Sequence, residues 1–209
     1  MRDARESIVL VCRRLYERGL VAGPDGNVSV RRDDGTVLVT PTGLSKVDVT
    51  PDDLVVVSLE GHVREGRRAP SSELRMHLRI YQRRLDVHAV VHAHPPVATG
   101  FAVAGEAFMA PVLPEVILQL GEVPLVPYAT PGSDALADAF EPFLGDHDGF
   151  LMANHGATTI APSLAMAHQR MESLEHAARI LLAARALGRV NELSAADVRS
   201  LRATREGSR

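Results

Sequence analysis

Two short segments that hold three of the nine histidines place the strongest constraint on how this chain folds. Residues 86–94 read DVHAVVHAH, which predicts a strand, and side chains on a strand alternate between its faces, so His92 and His94 point the same way. The third histidine, His155, lies in the later segment LMANHGATT. A lone histidine is more often a core or surface residue, but this grouping predicts a three-ligand metal site. Three protein ligands with an open fourth position are typical of catalytic zinc, whereas structural zinc usually has four.

Composition and charge indicate an ordinary globular protein. The chain has 209 residues, of which 45% are hydrophobic and 23% charged, enough for one substantial domain. A net charge of −3 without a basic block argues against nucleic acid or an anionic membrane as a partner. No apolar stretch reaches the length of a transmembrane span, and the first residues lack the apolar core of a signal peptide. Because Cys12 is the only cysteine, no intrachain disulfide is possible, and we expect a cytoplasmic protein.

Periodicity and turn signals predict helices interspersed with hairpins. In chain order, the predicted elements are a helix ending near Gly19, hairpins turning at 34–35 and 60–61, a helix over 70–83, the histidine strand, two strands around a turn at 155–156, a helix over 163–187 with Ser163 as its N-cap, and a last helix after Ser194. This order predicts an α+β fold or an α/β/α sandwich with largely antiparallel pairing. We expect the chain, residues 1–209, to form a single domain.

Three further segments have the character of an anion site. Gly26-Asn27-Val28-Ser29 and Thr40-Pro41-Thr42-Gly43 place glycines beside small polar side chains, and such turns let backbone N–H groups approach an anion closely. Ser71 and Ser72 stand at a predicted helix start, where free N–H groups and the helix dipole favour anions. Each motif alone is also a routine turn or helix start. Their joint occurrence with the three histidines favours a phosphate site.

Glu73 follows the two serines directly and is the candidate catalytic carboxylate. If the serines hold a phosphate, Glu73 lies close to the substrate, in the first turn of the predicted helix. A carboxylate beside a divalent metal ion can occupy the open position at rest and then leave it to act as a general base. The alternative is that Glu73 only complements the positive end of its helix.

The five motifs, Gly-Asn-Val-Ser, Thr-Pro-Thr-Gly, Ser-Ser-Glu, His-Ala-His-Pro and Asn-His-Gly, together resemble the class II aldolase/adducin family, most closely its L-fuculose-1-phosphate aldolase branch. The resemblance covers residues 6–190. It implies a central, largely antiparallel sheet with helices on both faces, and a homotetramer with active sites between subunits. It also implies one Zn²⁺ per subunit and three sets of site residues. These are the zinc ligands His92, His94 and His155, the catalytic Glu73, and a phosphate cradle formed by Asn27, Thr42, Gly43, Ser71 and Ser72.

The resemblance further implies a reaction. A ketose or deoxyketose 1-phosphate would be cleaved to dihydroxyacetone phosphate and an aldehyde, with zinc stabilising an enediolate and Glu73 shuttling the proton. No Schiff-base lysine is needed for this chemistry. The only lysine, Lys46, follows the Thr-Pro-Thr-Gly turn and is interpreted as a rim contact or a solvated charge.

The chain departs from the family pattern at two tyrosines, one from the middle of the chain and one from its tail. The matching middle stretch, residues 112–118, and the tail contain none. Glu115 is a candidate replacement in the catalytic machinery, since a related dehydratase branch has an acidic residue in a similar stretch. Alternatively, Glu115 only begins an exposed helix after Pro114. Tyr128 is the one tyrosine predicted to lie in a loop, and it is the other candidate.

Other functions remain open at this point. Dehydratase, 4-epimerase or decarboxylase chemistry on a related sugar phosphate would use the same metal site. The epimerases usually have aspartate after the paired serines, so Glu73 favours an aldolase. A non-catalytic interaction domain, as in the adducin head, would have lost the metal ligands, which this chain retains. His77 is predicted to pack beneath the site, and the remaining histidines, at 62, 88, 147, 168 and 176, are predicted to be surface or core residues.

Overall fold

The computed structural model describes residues 3–108 and 110–206, and this part of the chain forms eight strands and seven α-helices. The strands are β1 (Asn27–Arg31), β2 (Val37–Val39), β3 (Val55–Val57), β4 (Val63–Glu65), β5 (Ala89–Ala93), β6 (Leu125–Val126), β7 (Gly149–Met152) and β8 (Gly156–Ala161). The helices are α1 (Ala4–Glu17), α2 (Leu74–Arg83), α3 (Pro96–Val103), α4 (Pro114–Gln119), α5 (Asp134–Phe140), α6 (Leu164–Ala186) and α7 (Ala195–Glu206).

All eight strands lie in one sheet, in the order β4-β3-β2-β1-β5-β8-β7-β6. Each neighbouring pair is antiparallel except β6 and β7, which are parallel. The predicted, largely antiparallel sheet is therefore confirmed. The histidine strand β5 occupies the centre, where Asn27 of β1 and Thr158 of β8 flank His92 on its two sides.

Helices cover both faces of the sheet, because successive residues of a strand point to opposite sides. On β5, Val91 packs in the hydrophobic core formed with α1, α3 and α6, whereas Val90 packs in the core formed with α2. The arrangement is the α/β/α sandwich that the resemblance implied. Since His92 has the same parity as Val90, it faces α2, the helix that Glu73 precedes.

The predicted helix over 70–83 begins later than expected. Helix α2 starts at Leu74, and Glu73 is its N-cap residue instead of a member of its first turn. The preceding residues form a turn, in which the backbone N–H of Leu74 donates to the carbonyl oxygen of Ser71. The backbone N–H of Ser71 in turn donates to the carbonyl oxygen of Thr40. Pro41 and Pro70 form an isolated β-bridge beside this hydrogen bond.

The other predicted elements are present, and several short elements join them. Ser163 caps α6 by accepting a hydrogen bond from the backbone N–H of Met166, as predicted. Helix α3 and the two-residue strand β6 were not predicted, because they are too short to show a clear period in the sequence. Among the described residues, no helix combines the length and the apolar character needed to cross a membrane.

Candidate active site

The fold brings the three predicted histidines together. His92 lies on β5, His94 follows the end of that strand, and His155 lies in the turn between β7 and β8. The ring centroids are 4.8 to 5.1 Å apart. One nitrogen from each ring lies within 4.8 Å of the others, and the Nε2 atoms of His92 and His94 are 3.1 Å apart. Three nitrogens that converge this closely form a candidate metal centre.

Gly156 allows the rings to approach. A Cβ atom at this position would lie 2.6 Å from the carbonyl oxygen of Ala93 and 2.6 Å from Cδ2 of His94. It would also lie 3.3 Å from Cε1 of His92. The glycine of the Asn-His-Gly motif is therefore needed for space at the cluster.

Glu73 joins the same cluster, as predicted. Its Oε2 atom lies 3.2 Å from Nε2 of His92, and its Oε1 atom lies 3.3 Å from Nε2 of His155. The side-chain amide of Asn27 donates to Oε2 at 2.9 Å. The Glu73 side chain makes no hydrogen bond to the backbone of the helix that it precedes. It is directed at the histidines instead.

Burial and neighbouring charges set the protonation of the cluster. Burial lowers the pKa of His94 and of His155 to about 4 each, so both rings are neutral at pH 7. Burial acts in the same direction on His92, but the Glu73 carboxylate outweighs it and raises the pKa of that ring. For Glu73, burial alone would raise the carboxyl pKa, but His92, His155 and the amide of Asn27 hold it well below its ordinary value.

The donor set fits a divalent metal ion. Nδ1 of His92 lies 2.9 Å from the carbonyl oxygen of Ala157, and a proton donated there leaves Nε2 free to face the cluster. Among the described residues, Oε1 of Glu73 and Nδ1 of His155 are buried and lack a hydrogen-bond partner. Three imidazoles and a nearby carboxylate are the side chains that bind catalytic zinc, and they also suit other divalent transition metals.

The segments predicted to cradle a phosphate also meet beside this cluster. The backbone N–H of Thr42 donates to the carbonyl oxygen of Ala69 at 3.1 Å, which joins the second motif to the paired serines. Thr42, Gly43 and Ser72 are exposed, and Ser71 is buried. Gly43 has a φ of 72°, a left-handed conformation that glycine adopts without strain.

The side chain of Asn27 is fully engaged within the protein. Its Nδ2 group donates to Glu73 at 2.9 Å, and its Oδ1 atom lies 2.5 Å from Nε2 of His77. Asn27 is predicted as part of the phosphate cradle, and its observed contacts orient the carboxylate. His77 is fully buried beneath Glu73, where it was predicted, and its Nδ1 atom lies 2.6 Å from the hydroxyl of Ser29.

The expectation for Lys46 was wrong. It is 1% exposed, so it is neither a rim contact nor a solvated charge. Its ammonium group donates to the carbonyl oxygens of Pro24, at 2.8 Å, and Leu44, at 3.1 Å. The hydrogen bonds to these two carbonyls hold the lysine side chain in the interior, and burial lowers the pKa of its ammonium group. The burial of Lys46 could not be predicted from the sequence, because a lysine in a polar loop is ordinarily exposed.

The two candidates for the missing tyrosines lie on the surface of the described chain. Glu115 is exposed in the first turn of α4, and its carboxylate makes no hydrogen bond or ion pair with the described residues. Tyr128 is 62% exposed, in the loop between β6 and α5. That loop approaches the serines through Gly132, where a Cβ atom would lie 2.8 Å from the carbonyl oxygen of Ser72. Neither candidate contacts the histidine cluster in this chain.

The remaining histidines stay outside the cluster, as predicted. The residues at 62, 88 and 176 are exposed, and His147 is half-buried. His168 is buried on α6, where its Nδ1 atom lies 3.4 Å from a carboxylate oxygen of Glu172. The interpretation of these five as surface or core residues is confirmed.

Comparison with known proteins identifies the family. The family model described as the class II aldolase and adducin N-terminal domain matches residues 6–182. The chain belongs to this family. It is similar to a solved structure of L-fuculose 1-phosphate aldolase, with a TM-score of 0.90 and 30% sequence identity over 100% of this chain and 98% of that one.

Two curated relatives show that similar chains carry different reactions. The chain is 35% identical over 209 residues to the 5-deoxy-D-ribulose 1-phosphate aldolase of Bacillus thuringiensis serovar kurstaki, which covers 99% of this chain and 97% of that protein. It is 33% identical over 181 residues to the 3-oxo-tetronate 4-phosphate decarboxylase of Escherichia coli strain K12, which covers 85% of each chain. The names of both relatives contain a phosphorylated substrate, but they describe different reactions, an aldol cleavage and a decarboxylation.

Proposed function

We propose that this protein is a zinc-dependent class II aldolase that cleaves a ketose or deoxyketose 1-phosphate to dihydroxyacetone phosphate and an aldehyde. The observation that carries the proposal is the placement of Glu73, whose two carboxylate oxygens lie within 3.3 Å of His92 and His155. The carboxylate is thus held beside a metal-binding cluster and next to the paired serines. The relative named 5-deoxy-D-ribulose 1-phosphate aldolase favours a deoxyketose phosphate as the substrate.

Each residue has a defined role in this proposal. His92, His94 and His155 hold the ion, and a bound divalent ion would supply Lewis-acid stabilisation of the negative charge that develops on the substrate as the carbon–carbon bond breaks. Glu73 moves a proton to or from the carbon that carries this charge. The phosphate cradle orients the substrate through hydroxyl groups and backbone N–H groups of Thr42, Gly43, Ser71 and Ser72. Asn27, the fifth predicted member, has its side chain engaged by Glu73 and His77 and is proposed to orient the carboxylate instead.

Glu115 is proposed to replace the missing tyrosine as an acid or base. Because its side chain is exposed and forms no hydrogen bond or ion pair with the cluster of its own chain, it would act in the site of a neighbouring subunit. We expect Glu115→Gln to lower kcat more than tenfold, since general acid–base groups contribute roughly 10²–10⁴. The measurement is steady-state cleavage kinetics, with Glu122→Gln as an exposed acidic control. Near-normal turnover in Glu115→Gln would reject this role.

Wider properties of the protein are proposed on the resemblance and composition. We propose one domain over the whole chain, a homotetramer and a cytoplasmic location. The single eight-stranded sheet supports one domain, and residues 1–2, 109 and 207–209 lie outside the described residues. Size-exclusion chromatography with light scattering would test the tetramer.

The alternative is decarboxylation of a related sugar phosphate, favoured by the similarity to the 3-oxo-tetronate 4-phosphate decarboxylase. Dehydration and 4-epimerisation remain alternatives of the same kind. In each of them the same cluster would stabilise charge on a carbon acid or enolate-like species. The serine-adjacent glutamate is present in this chain, whereas the epimerases usually have aspartate there.

The decisive experiment compares products from four substrates. These are 5-deoxyribulose 1-phosphate, ribulose 1-phosphate, fuculose 1-phosphate and 3-oxo-tetronate 4-phosphate. Dihydroxyacetone phosphate and carbon dioxide are measured separately, for zinc-loaded and chelated enzyme and for the His155→Ala and Glu73→Gln variants. Zinc-dependent release of dihydroxyacetone phosphate from one of the three ketose 1-phosphates, without carbon dioxide and lost in both variants, supports the aldolase. Decarboxylation of 3-oxo-tetronate 4-phosphate leaves dihydroxyacetone phosphate, so release of both products from this substrate, with no cleavage of the three ketose 1-phosphates, would replace the aldolase with the decarboxylase. Inactivity of zinc-loaded enzyme on all four would reject both.

A further inference from the structure

A line of buried hydrogen bonds leads from helix α2 through strand β1 to the carboxylate of Glu73. The Tyr81 hydroxyl lies 2.8 Å from the Ser29 hydroxyl, which lies 2.6 Å from Nδ1 of His77. Nε2 of His77 lies 2.5 Å from Oδ1 of Asn27, whose Nδ2 group donates to Glu73 at 2.9 Å. All five residues are buried, and Tyr81, Ser29 and His77 are fully enclosed. We call these five groups the Glu73 relay.

The Glu73 carboxylate at the end of the relay determines which group donates and which accepts in every hydrogen bond of the relay. An ionised carboxylate only accepts hydrogen bonds, so Asn27 must turn its NH₂ group to Glu73 and its oxygen to His77. The facing Nε2 atom of His77 must then carry the proton. A neutral imidazole has only one N–H group, so Nδ1 is an acceptor and Ser29 donates to it. Tyr81 in turn donates to Ser29.

Burial keeps the two titratable members of the relay in the required form. The pKa of His77 is lowered to about 3, chiefly because burial disfavours the charged ring, so His77 is neutral at pH 7. Burial also raises the pKa of Tyr81, so its hydroxyl keeps its proton. With neither group charged, only one arrangement of protons satisfies all five residues.

We propose that Ser29 and His77 are positioning residues. By donating to Nδ1, the Ser29 hydroxyl stabilises the Nε2-protonated form of His77 that Asn27 requires, and so helps to hold the orientation of Glu73. The inference rests on the proposed function in one respect, which is that Glu73 is the residue that transfers the proton. In the opposite tautomer, Nε2 would be an acceptor, and Asn27 would have to turn its NH₂ group to His77. Its oxygen would then face the Glu73 carboxylate, and two acceptors in contact repel each other. Glu73 would lose its amide donor and its fixed position between His92 and His155.

Two variants separate this role from simple packing. Ser29→Ala removes the donor to Nδ1, so the Nε2-protonated tautomer of His77 loses a stabilising hydrogen bond. Tyr81→Phe also removes one buried hydroxyl, but it leaves Ser29 able to donate to His77. Ser29→Thr retains the hydroxyl and serves as the rescue variant. A packing role predicts similar losses from Ser29→Ala and Tyr81→Phe, whereas the relay predicts a loss mainly from Ser29→Ala.

The first measurement is a nitrogen-15 NMR spectrum of the full-length, zinc-loaded protein labelled at histidine and asparagine. His77→Gln assigns the His77 signals. We expect the wild-type His77 ring to be neutral with its proton on Nε2, and Ser29→Ala to populate the Nδ1 tautomer and shift the Asn27 side-chain amide. An Nδ1-protonated or charged His77 in the wild type would overturn the inference, as would an unchanged Asn27 signal in Ser29→Ala. This readout does not depend on catalytic activity.

The second measurement is steady-state cleavage kinetics at fixed zinc content. We expect Ser29→Ala to lower kcat about tenfold with KM nearly unchanged, Tyr81→Phe to lower it less than threefold, and Ser29→Thr to restore it. Equal kcat losses in Ser29→Ala and Tyr81→Phe would indicate packing and reject the relay. An inactive wild-type protein with the expected tautomer would instead reject the proposed function and leave the relay standing on the NMR result.

Discussion

At Gly156, a single absent methyl group decides whether the three histidines can meet. The position follows His155 directly, and a Cβ atom there would lie within 2.6 Å of Cδ2 of His94 and of the carbonyl oxygen of Ala93. The carbonyl belongs to the central strand and cannot retreat without breaking its pairing with β8. The imidazole of His94 would have to move instead.

We therefore predict that Gly156→Ala weakens zinc binding. Displacing a ligand through its supporting contacts typically costs roughly 10–100-fold in metal affinity. The measurement is zinc competition against a chromophoric chelator. Gly100→Ala is the matched control, because the added Cβ has no heavy atom within 4 Å and the position lies on helix α3. Equal zinc affinity in Gly156→Ala and the wild type would show that the cluster tolerates the displacement.

At the scale of elements, Lys46 connects the loop before β1 with the loop after β2, at the open end of the hairpin that these strands form. Its ammonium group bonds the carbonyl of Pro24, three residues before Asn27, and the carbonyl of Leu44, one residue after Gly43. Buried charges are normally paired, yet no carboxylate of the described residues forms an ion pair with Lys46. The positive charge thus lies between two segments of the phosphate cradle.

We predict that Lys46→Met weakens the binding of inorganic phosphate about tenfold, or ~1.4 kcal/mol, because the loops lose their link and the anion loses a nearby positive charge. Isothermal titration calorimetry of the zinc-loaded protein measures the change. Arg13→Met removes the same charge from the exposed side of α1 and should leave phosphate affinity unchanged. Equal weakening in both variants would indicate a general charge effect and contradict a local role.

Some of these elements could be predicted from the sequence, whereas others depend on contacts between residues that are distant in the chain. Long elements and hairpins carry their own signals, so helix α6 with its Ser163 cap and the turns at 34–35 and 60–61 were predictable. The start of α2 was not, because it depends on a hydrogen bond from Ser71 to Thr40, a partner distant in sequence. The burial of Lys46 depends on two carbonyls supplied by the tertiary fold. Likewise, the resemblance indicated Glu73 as a site residue, but Ser29 and Tyr81 became relevant only when α2 was placed on β1.

At the scale of the molecule, the site is assembled from elements spread over most of the chain. Asn27, Glu73, His92 and His155 come from β1, the start of α2, β5 and the β7–β8 turn. The folded state alone holds these groups together, so the protonation of the buried groups beneath the site is linked to the stability of the whole fold.

His77 makes this linkage measurable in the metal-free protein. Its pKa is lowered to about 3 in the folded state, chiefly by burial, from an ordinary value of 6.5. Between these two values the unfolded chain binds the extra proton and the folded chain does not, so acid favours unfolding. The contribution of His77 to the free energy of unfolding should fall by roughly 1.4 kcal/mol for each pH unit below about 6.5.

We predict that the free energy of unfolding of the metal-free protein falls less steeply with acid in His77→Gln than in the wild type. The difference should approach the slope of one proton between pH 6 and 4, because glutamine does not titrate. Urea unfolding at a series of pH values measures both curves. His176→Gln, which removes an exposed histidine of α6, is the control for the substitution itself. Parallel curves for His77→Gln and the wild type would mean that the buried ring accepts a proton within the folded protein, and the fixed tautomer of the Glu73 relay would then fail with it.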